Sequence, residues 1–389
     1  MAGLVLKPRS RIFHGHEWVY SSEVLKSFGN PEDGQVISLK DSADRFLGSA
    51  IYNSKSQIVA RRFCRQRQEL DLDFFQRRLR MAVEYRNRRG IPPNPSRLVW
   101  SESDGLPGLI VDRYGDHLVI QTLTLGMDLR KPLIVQALSE LLHPASILER
   151  NDSPMRKAEG LPSINAVLAG TEPAPFRIPV NGLEFEVDLL TGQKTGFYLD
   201  QLDAYPSVAE FAAGRSVLDC FSNQGAFALS CAKASAASVL AIEISKECAS
   251  QIRTNAAINQ LPVDVLEANV FDALKELERT QRSFDLIVLD PPSFTKSKGR
   301  IHDALRGYKE IHLRALRLLN PEGLLATFCC SHHVSAPIFR EMIQDAAVDA
   351  KATLRLLRTF SQRLDHPILT SIPETEYLTG ALFEKVPGR

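Results

Sequence analysis

Two strand-end aspartates, a single loop glycine and a pair of adjacent cysteines are the residues of this chain best placed to do chemistry. The segments 217–225, Val-Leu-Asp-Cys-Phe-Ser-Asn-Gln-Gly, and 285–294, Asp-Leu-Ile-Val-Leu-Asp-Pro-Pro-Ser-Phe, are apolar runs that reach Asp219 and Asp290 and then turn. A buried parallel strand delivers a carboxylate to the carboxyl edge of an open sheet in this way, where ligands bind. Asp219 and the backbone of Phe221 and Ser222 offer oxygens to an ammonium group, and Gly225 permits a close backbone approach. Glu243 ends the next apolar run, where an acid can accept both hydroxyls of a ribose. Asn269 follows Val265-Leu-Glu-Ala, at the place where an adenine amino group would be read. Each has a plainer role when taken alone, because an Asp or Asn at a strand end also caps the helix that follows.

Dinucleotide sites repeat glycine through this loop so that the backbone can meet a pyrophosphate. Here Phe221 and Asn223 fill the first two alternating positions and only Gly225 remains, which disfavours a pyrophosphate and with it an NAD-dependent dehydrogenase. In Asp290-Pro291-Pro292-Ser293-Phe294 the two prolines fix φ and remove two donors, leaving carbonyls for a ligand's N–H groups. Phe294 offers a face on which a base can stack, or packs as a core aromatic beside the sheet. Lys296, Lys298 and Arg300 follow, placed for phosphates. The run Gly323-Leu-Leu-Ala-Thr-Phe-Cys-Cys-Ser-His-His is a buried strand entering a polar turn at the same edge. A thiolate at Cys330 could add to C6 of a pyrimidine and make C5 nucleophilic towards a methyl donor. Cys329 competes for that role, and strand alternation turns the two thiols to opposite faces, so at most one meets a substrate.

The elements that would position these residues can be read from the pattern. Residues 1–66 hold short β-like runs at Leu4–Leu6, Gln35–Leu39, Phe46–Tyr52 and Gln57–Phe63, separated by Gly, Asn, Pro and Asp turns, and predict a small β-barrel. A helix follows over 72–89, capped by Asp71 or Asp73 and stopped by Gly90 and Pro92. Residues 97–188 read as strand pairs around one helix at 128–142. From about 190, strands and helices alternate, which predicts a doubly wound parallel α/β sheet. The expected domains are 1–68, a barrel; 69–187, a central α+β domain; and 188–389.

At 389 residues the chain is too long for one ordinary core. Its 44% hydrophobic and 24% charged residues are typical of soluble globular proteins, and no apolar run approaches the ~20 residues that span a bilayer. The N-terminus lacks the features of a secretory signal. Six cysteines without Cys-x-x-Cys spacing suit a reducing cytoplasm and argue against structural zinc, so no metal is expected. The net charge is only +1, yet residues 61–97 hold eleven arginines and four acids. That surplus, including Arg77, Arg78 and Arg80, suits a polyanion or a solvated helix face.

Taken together, these segments closely resemble the bacterial 23S ribosomal RNA cytosine-C5 methyltransferases of the RlmI type, over essentially the whole chain. Arg11-Ile-Phe-His-Gly-His-Glu-Trp-Val-Tyr is similar to the start of that family's PUA domain, an RNA-binding barrel. Glu102 to Arg113, Glu149-Arg-Asn-Asp, Arg156-Lys157 and Glu159-Gly160 are similar to its central domain. Thr191-Gly-Gln-Lys-Thr-Gly-Phe-Tyr-Leu-Asp-Gln is a specific signature. The resemblance implies S-adenosylmethionine (SAM) as cofactor, with Gln193, Lys194, Thr195, Phe197 and Tyr198 in its pocket beside Asp219, Phe221, Ser222, Gly225, Glu243, Asn269 and Asp290. It implies 23S rRNA as partner, held by Pro291, Pro292, Phe294 and the basic helix, and Cys330 as nucleophile through the pattern Phe-x-Cys-Ser. It also implies a class I Rossmann-like fold and a cytoplasmic enzyme, and leaves a homodimer open. Three departures stand out: Leu202-Asp203-Ala204 where an Arg is usual after Asp-Gln, Glu17 in place of proline, and His332-His333 after Cys-Ser. Asp365-His366-Pro367 also matches the family, as packing or as a base for C5 deprotonation. Two rival readings remain: methylation of a guanine nitrogen, which needs no covalent cysteine, and a non-catalytic rRNA-binding assembly factor.

Overall fold

A computed structural model describes residues 2–192, 195–294, 298–331 and 333–388. The chain forms two compact units: Met1–Ile178 with Val187–Leu199 and Leu364–Thr375, and Pro179–Glu186 with Asp200–Arg363 and Glu376–Arg389.

The first unit opens with β1 (Gly3–Leu6), β2 (Trp18–Tyr20), β3 (Val24–Phe28), β4 (Val36–Lys40), β5 (Phe46–Tyr52) and β6 (Ile58–Cys64). They form one sheet in the order β2-β6-β5-β4-β1-β3, in which only β1 and β4 run parallel. Alternation turns Leu4, Leu6, Val19, Ile37, Leu39, Ala50 and Ala60 to one buried face. The sequence pattern had no signal for β2, only three residues long, or for β3, whose middle three residues are exposed and show no alternation. Helix α1 (Leu72–Arg88) starts where the Asp71 carboxylate accepts from Phe74 N at 2.8 Å. It buries Phe74, Phe75, Leu79 and Ala82. Arg86, in its last turn, is buried: its guanidinium bonds Asp104 at 2.5 Å and the carbonyls of Arg97 and Asp365 at 2.9 and 2.7 Å.

Beneath α1 lie β7 (Ser96–Trp100), β8 (Leu109–Tyr114), β9 (His117–Thr122), β10 (Ser146–Asn151) and β11 (Ile164–Gly170), in the order β11-β10-β9-β8-β7. The helix expected over 128–142 is two, α2 (Leu125–Asp128) and α3 (Lys131–Leu142). Pro132 fits only the first turn of a helix, so α3 must begin beside it. A short α4 (Met155–Ala158) follows β10. The ribbon β12 (Phe176–Val180) and β13 (Leu183–Val187) turns through Asn181 and Gly182, both at positive φ as a two-residue hairpin requires.

The second unit runs α5 (Ala204–Ala209), β14 (Ser216–Cys220), α6 (Ala226–Lys233), β15 (Ser238–Glu243), α7 (Lys246–Ile258), β16 (Asp264–Glu267) and α8 (Val270–Arg279). It continues with β17 (Phe284–Leu289), α9 (Ile301–Leu318), β18 (Leu319–Cys329), α10 (Ala336–Asp349), β19 (Thr353–Ser361) and β20 (Thr379–Val386). Its seven strands lie in the order β16-β15-β14-β17-β18-β20-β19. The expected parallel α/β sheet is present from β16 to β18, and β20 then enters antiparallel between β18 and β19. Strand order reverses between β14 and β17, the crevice where such sheets take ligands.

Candidate active site

Register brings three of the expected strand ends together. Cys220 pairs with Leu289 across β14 and β17, and Leu289 with Thr327 across β17 and β18. Asp219, Asp290 and Cys329-Cys330 therefore share one sheet edge.

The loop after β14 keeps the backbone of a glycine-rich turn with one glycine. Phe221, Asn223 and Gly225 all take positive φ, at 63°, 50° and 84°. For Phe221 that conformation costs roughly 1–2 kcal/mol, and a web of hydrogen bonds holds it. Ser222 N donates to Ile242 O at 3.1 Å, Gly225 N to Ser222 O at 2.7 Å, and Ser222 Oγ to Asp219 O at 2.7 Å. Glu243, at the end of β15, accepts from Asn223 N through Oε2 at 2.8 Å and from Ser245 N through Oε1 at 2.9 Å. Gly225 is required twice, by its φ and because a Cβ there would lie 2.7 Å from Leu229 Cδ1.

Asp219 is 1% exposed. Its Oδ2 accepts from Ala228 N at 3.1 Å, and its Oδ1 has no partner among the described residues. Burial pushes this carboxyl up to about 7, and the charges of Asp290 and Glu243 add to the rise. Asp290, after β17, accepts from Gln201 Nε2 at 2.9 Å. Asn269 is exposed and accepts from Phe271 N at 2.9 Å, so it caps α8.

The Asp-Pro-Pro turn rests on a residue the pattern did not single out. Tyr308 of α9 is fully buried; its hydroxyl donates to Pro292 O and accepts from Phe294 N, both at 3.4 Å. Its ring lies 4.5 Å from that of Phe294, which also meets Phe271 at 5.9 Å and Phe221 at 6.4 Å. Phe294 is thus half-buried on an aromatic bed, which shows its packing role. One turn along α9, His312 is fully buried: Nδ1 donates to Tyr308 O at 2.6 Å and Nε2 accepts from Thr327 Oγ1 at 2.8 Å. Burial lowers it to about 4, so it stays neutral near pH 7. The Tyr308–His312 spacing of four, among Ala304, Ile311 and Ala315, was the sequence signal for this inner face.

The two thiols part as alternation requires. Cys329, the last residue of β18, is 0% exposed, lies in the apolar core and is pushed up by burial. Cys330 lies one residue past the strand and is half-exposed.

In the first unit, residues 187–199 carry the Thr-Gly-Gln-Lys-Thr-Gly-Phe-Tyr signature. Gln193 and Lys194 lie outside the described residues, as do Lys296 and His332. The flanking residues are gripped on both sides. Buried Arg150 of β10 donates to Leu189 O and Gly192 O, each at 2.8 Å. Thr195 Oγ1 donates to Asp112 Oδ2 at 2.6 Å, and Arg97 holds both Asp112 oxygens at 2.7 Å. The Tyr114 hydroxyl lies 3.1 Å from Thr195 Oγ1 and accepts from Phe197 N at 3.1 Å. Thr195 and Phe197 are buried and Tyr198 is half-buried. Sequence reasoning missed Arg97, Asp112, Tyr114 and Arg150 as supports of this loop.

Elsewhere in the first unit, Glu17 binds Arg62 Nε at 2.5 Å, a physical role for the residue that replaces proline. His366 is buried against Trp100, with Nδ1 2.8 Å from Asp365 Oδ1. Arg77 pairs with Asp73 at 2.8 Å; Arg80 is exposed. Among the described residues no helix is long and apolar enough to cross a membrane, and no three His, Cys, Asp or Glu side chains could hold a metal ion.

A buried acceptor without a partner, two carboxylates at the crevice and a loop with glycine-like backbone fit a nucleoside carrying a cationic group. The family profile described as S-adenosylmethionine-dependent methyltransferase matches residues 161–376, and a PUA-like domain matches 6–65. The chain is 38% identical over 373 residues to a ribosomal RNA large subunit methyltransferase I of Erwinia tasmaniensis, covering 94% of each. It is 39% identical over 386 residues to the protein of the same name from Aeromonas salmonicida, covering 97% of each. A solved SAM-dependent methyltransferase from Streptococcus mutans has the same fold: TM-score 0.85 at 22% identity, over 99% of this chain and 100% of that one.

Proposed function

The chain belongs to the S-adenosylmethionine-dependent methyltransferase family, and on that premise we propose that it forms 5-methylcytosine in 23S rRNA through a covalent cysteine adduct. It is an enzyme, and SAM is its methyl donor. The observation that carries the reading of the chemistry is the half-exposed Cys330 at the sheet edge that also bears Asp219 and Asp290. The rRNA substrate rests on the names of the relatives.

SAM supplies an electrophilic methyl group. Asp219 Oδ1 would hold its ammonium, Glu243 its ribose hydroxyls and Asn269 its adenine amino group; the resemblance implies that Gln193, Lys194, Thr195, Phe197 and Tyr198 would help form the pocket. Asp290 would bind the exocyclic amine or N3 of the cytosine and so orient the ring. Phe294, set on its aromatic bed, would stack on the base, and the Pro291–Pro292 carbonyls would face its N–H groups. The Cys330 thiolate adds to C6, forming the S–C6 bond while the C5–C6 π pair moves onto C5. That pair would take the methyl group, and the electrons of the broken sulfonium–methyl bond would stay on sulfur, leaving S-adenosylhomocysteine. Removal of the C5 proton returns a pair to the C5–C6 bond, and the thiolate leaves C6. The PUA-like sheet at 1–68 and the basic helix carrying Arg77, Arg78 and Arg80 would bind flanking RNA.

The test uses rRNA containing 5-fluorocytidine, whose fluorine cannot depart as a proton. With SAM present, mass spectrometry is expected to find a protein–RNA adduct in the wild type and in Cys329→Ala. An adduct that persists in Cys330→Ala would remove Cys330 from its role. Turnover of unsubstituted rRNA by Cys330→Ala, with methylguanine as the product nucleoside, would favour the nitrogen-methylating alternative.

A further inference from the structure

Outside the methyl-transfer site, the first unit carries a groove of ≈ 800 Å3. One wall is the outer face of α1, with Arg78, Met81, Tyr85 and Arg88; the other is the end of β6, from Phe63 to Arg65. Residues 103–105 and 367–369 also line it.

Four acids line the groove, and three are already committed. Glu17 pairs with Arg62 at 2.5 Å, Glu102 with Arg61 at 2.8 Å, and Asp104 with the buried Arg86 at 2.5 Å. That leaves Glu84 against Arg65, Arg78 and Arg88, a cationic surplus. Arg65 and Arg88 are exposed and make no ion pair with another described residue. Arg78 donates to Phe63 O at 3.3 Å and lies over the Phe74 ring.

The groove is also aromatic and apolar. Tyr85 is half-buried in its wall, with the guanidinium carbons of the buried Arg86 and the exposed Arg89 at 5.2 and 5.6 Å from its ring centroid. Met81 at 56% and Ile368 at 40% are exposed although both are apolar. Cations beside a ring and aliphatic surface match an unpaired nucleotide, which offers phosphates and a bare base together. A duplex offers its phosphates but hides its base faces, and an acidic peptide would leave the ring and Met81 unused.

We propose that this groove binds an unpaired stretch of the RNA substrate, a base against Tyr85 and phosphates at Arg65 and Arg88; the proposal rests on the rRNA-methyltransferase reading above. The groove thereby selects single-stranded context near the target.

The experiment is fluorescence anisotropy of the full chain with a labelled oligouridylate and with an RNA duplex of equal length. Tyr85→Leu is expected to lose roughly tenfold in affinity for the oligouridylate. Arg65→Gln with Arg88→Gln is expected to lower the slope of log affinity against log salt by about 1.4, at ~0.7 per phosphate on a single strand. Calorimetric binding of S-adenosylhomocysteine, unchanged in each variant, establishes that the protein is folded. Wild-type affinity and slope in both variants would overturn the proposal. So would intact oligouridylate binding combined with lost methylation of assembled subunits, which would make the occupant a protein. A wild type that methylates no rRNA defeats the functional reading alone, because the titration scores the groove independently.

Discussion

A carboxyl group that titrates near neutrality is a proton gate for any cation it binds. Asp219 is such a group: burial holds it half-protonated at about pH 7, far above an ordinary aspartate. A bound ammonium favours its charged form, so SAM affinity should fall as pH drops below 7, and binding near pH 7 should release part of a proton. Calorimetry in buffers of different ionisation enthalpy measures that release, and Asp219→Asn should abolish it while weakening binding. The stability sign is opposite to that of a salt-bridged aspartate. The raised value makes the ligand-free fold more stable near pH 4, with the gain lost as pH rises through 7. Cys329→Ala should retain activity and cost roughly 1 kcal/mol in denaturant unfolding, the range for a small deletion in a packed core. Asp219, Asp290 and Cys330 were legible in the sequence because each ends an apolar run, a purely local pattern. The Gln201–Asp290 bond was not, because the two residues are 89 apart along the chain and only packing joins them; Tyr308 carried just its helical spacing, which marks an inner face but not the turn it supports.

At the scale of elements, the signature loop is a segment held from both sides. Arg150 fixes two carbonyls before residues 193–194, and Tyr114 with Asp112 fixes Thr195 and Phe197 after them. Tyr114→Phe removes one hydroxyl and leaves Phe197 N without its acceptor. At about 1 kcal/mol per bond, the KM for SAM should rise several-fold while the KM for rRNA holds; an equal rise in both would mark a general loss of fold. The loop motif itself was readable in the sequence, whereas its supports lie on β8 and β10, about 40 to 80 residues earlier, where their spacing carries no sign of a partner. Helix and strand periodicity located most of the parallel sheet for the same local reason. It missed β19 and β20: β19 is an exposed edge strand, and neither shows a clean alternation of buried and exposed residues.

For the molecule as a whole, a net charge of +1 conceals a strongly basic segment between residues 61 and 97. Reversal of Arg77, Arg78 and Arg80 to glutamate should weaken rRNA binding by roughly tenfold or more at low salt and flatten its salt dependence. Arg77 should contribute least, since Asp73 already neutralises it; filter binding across a salt series checks the order. The first unit contains Leu364–Thr375, and its buried Arg86 needs the carbonyl of Asp365. A ribosome emits residues in order, so the first unit stays unfinished until residues 364–375 have been made. A product that stops before residue 364 would therefore carry an incomplete first unit.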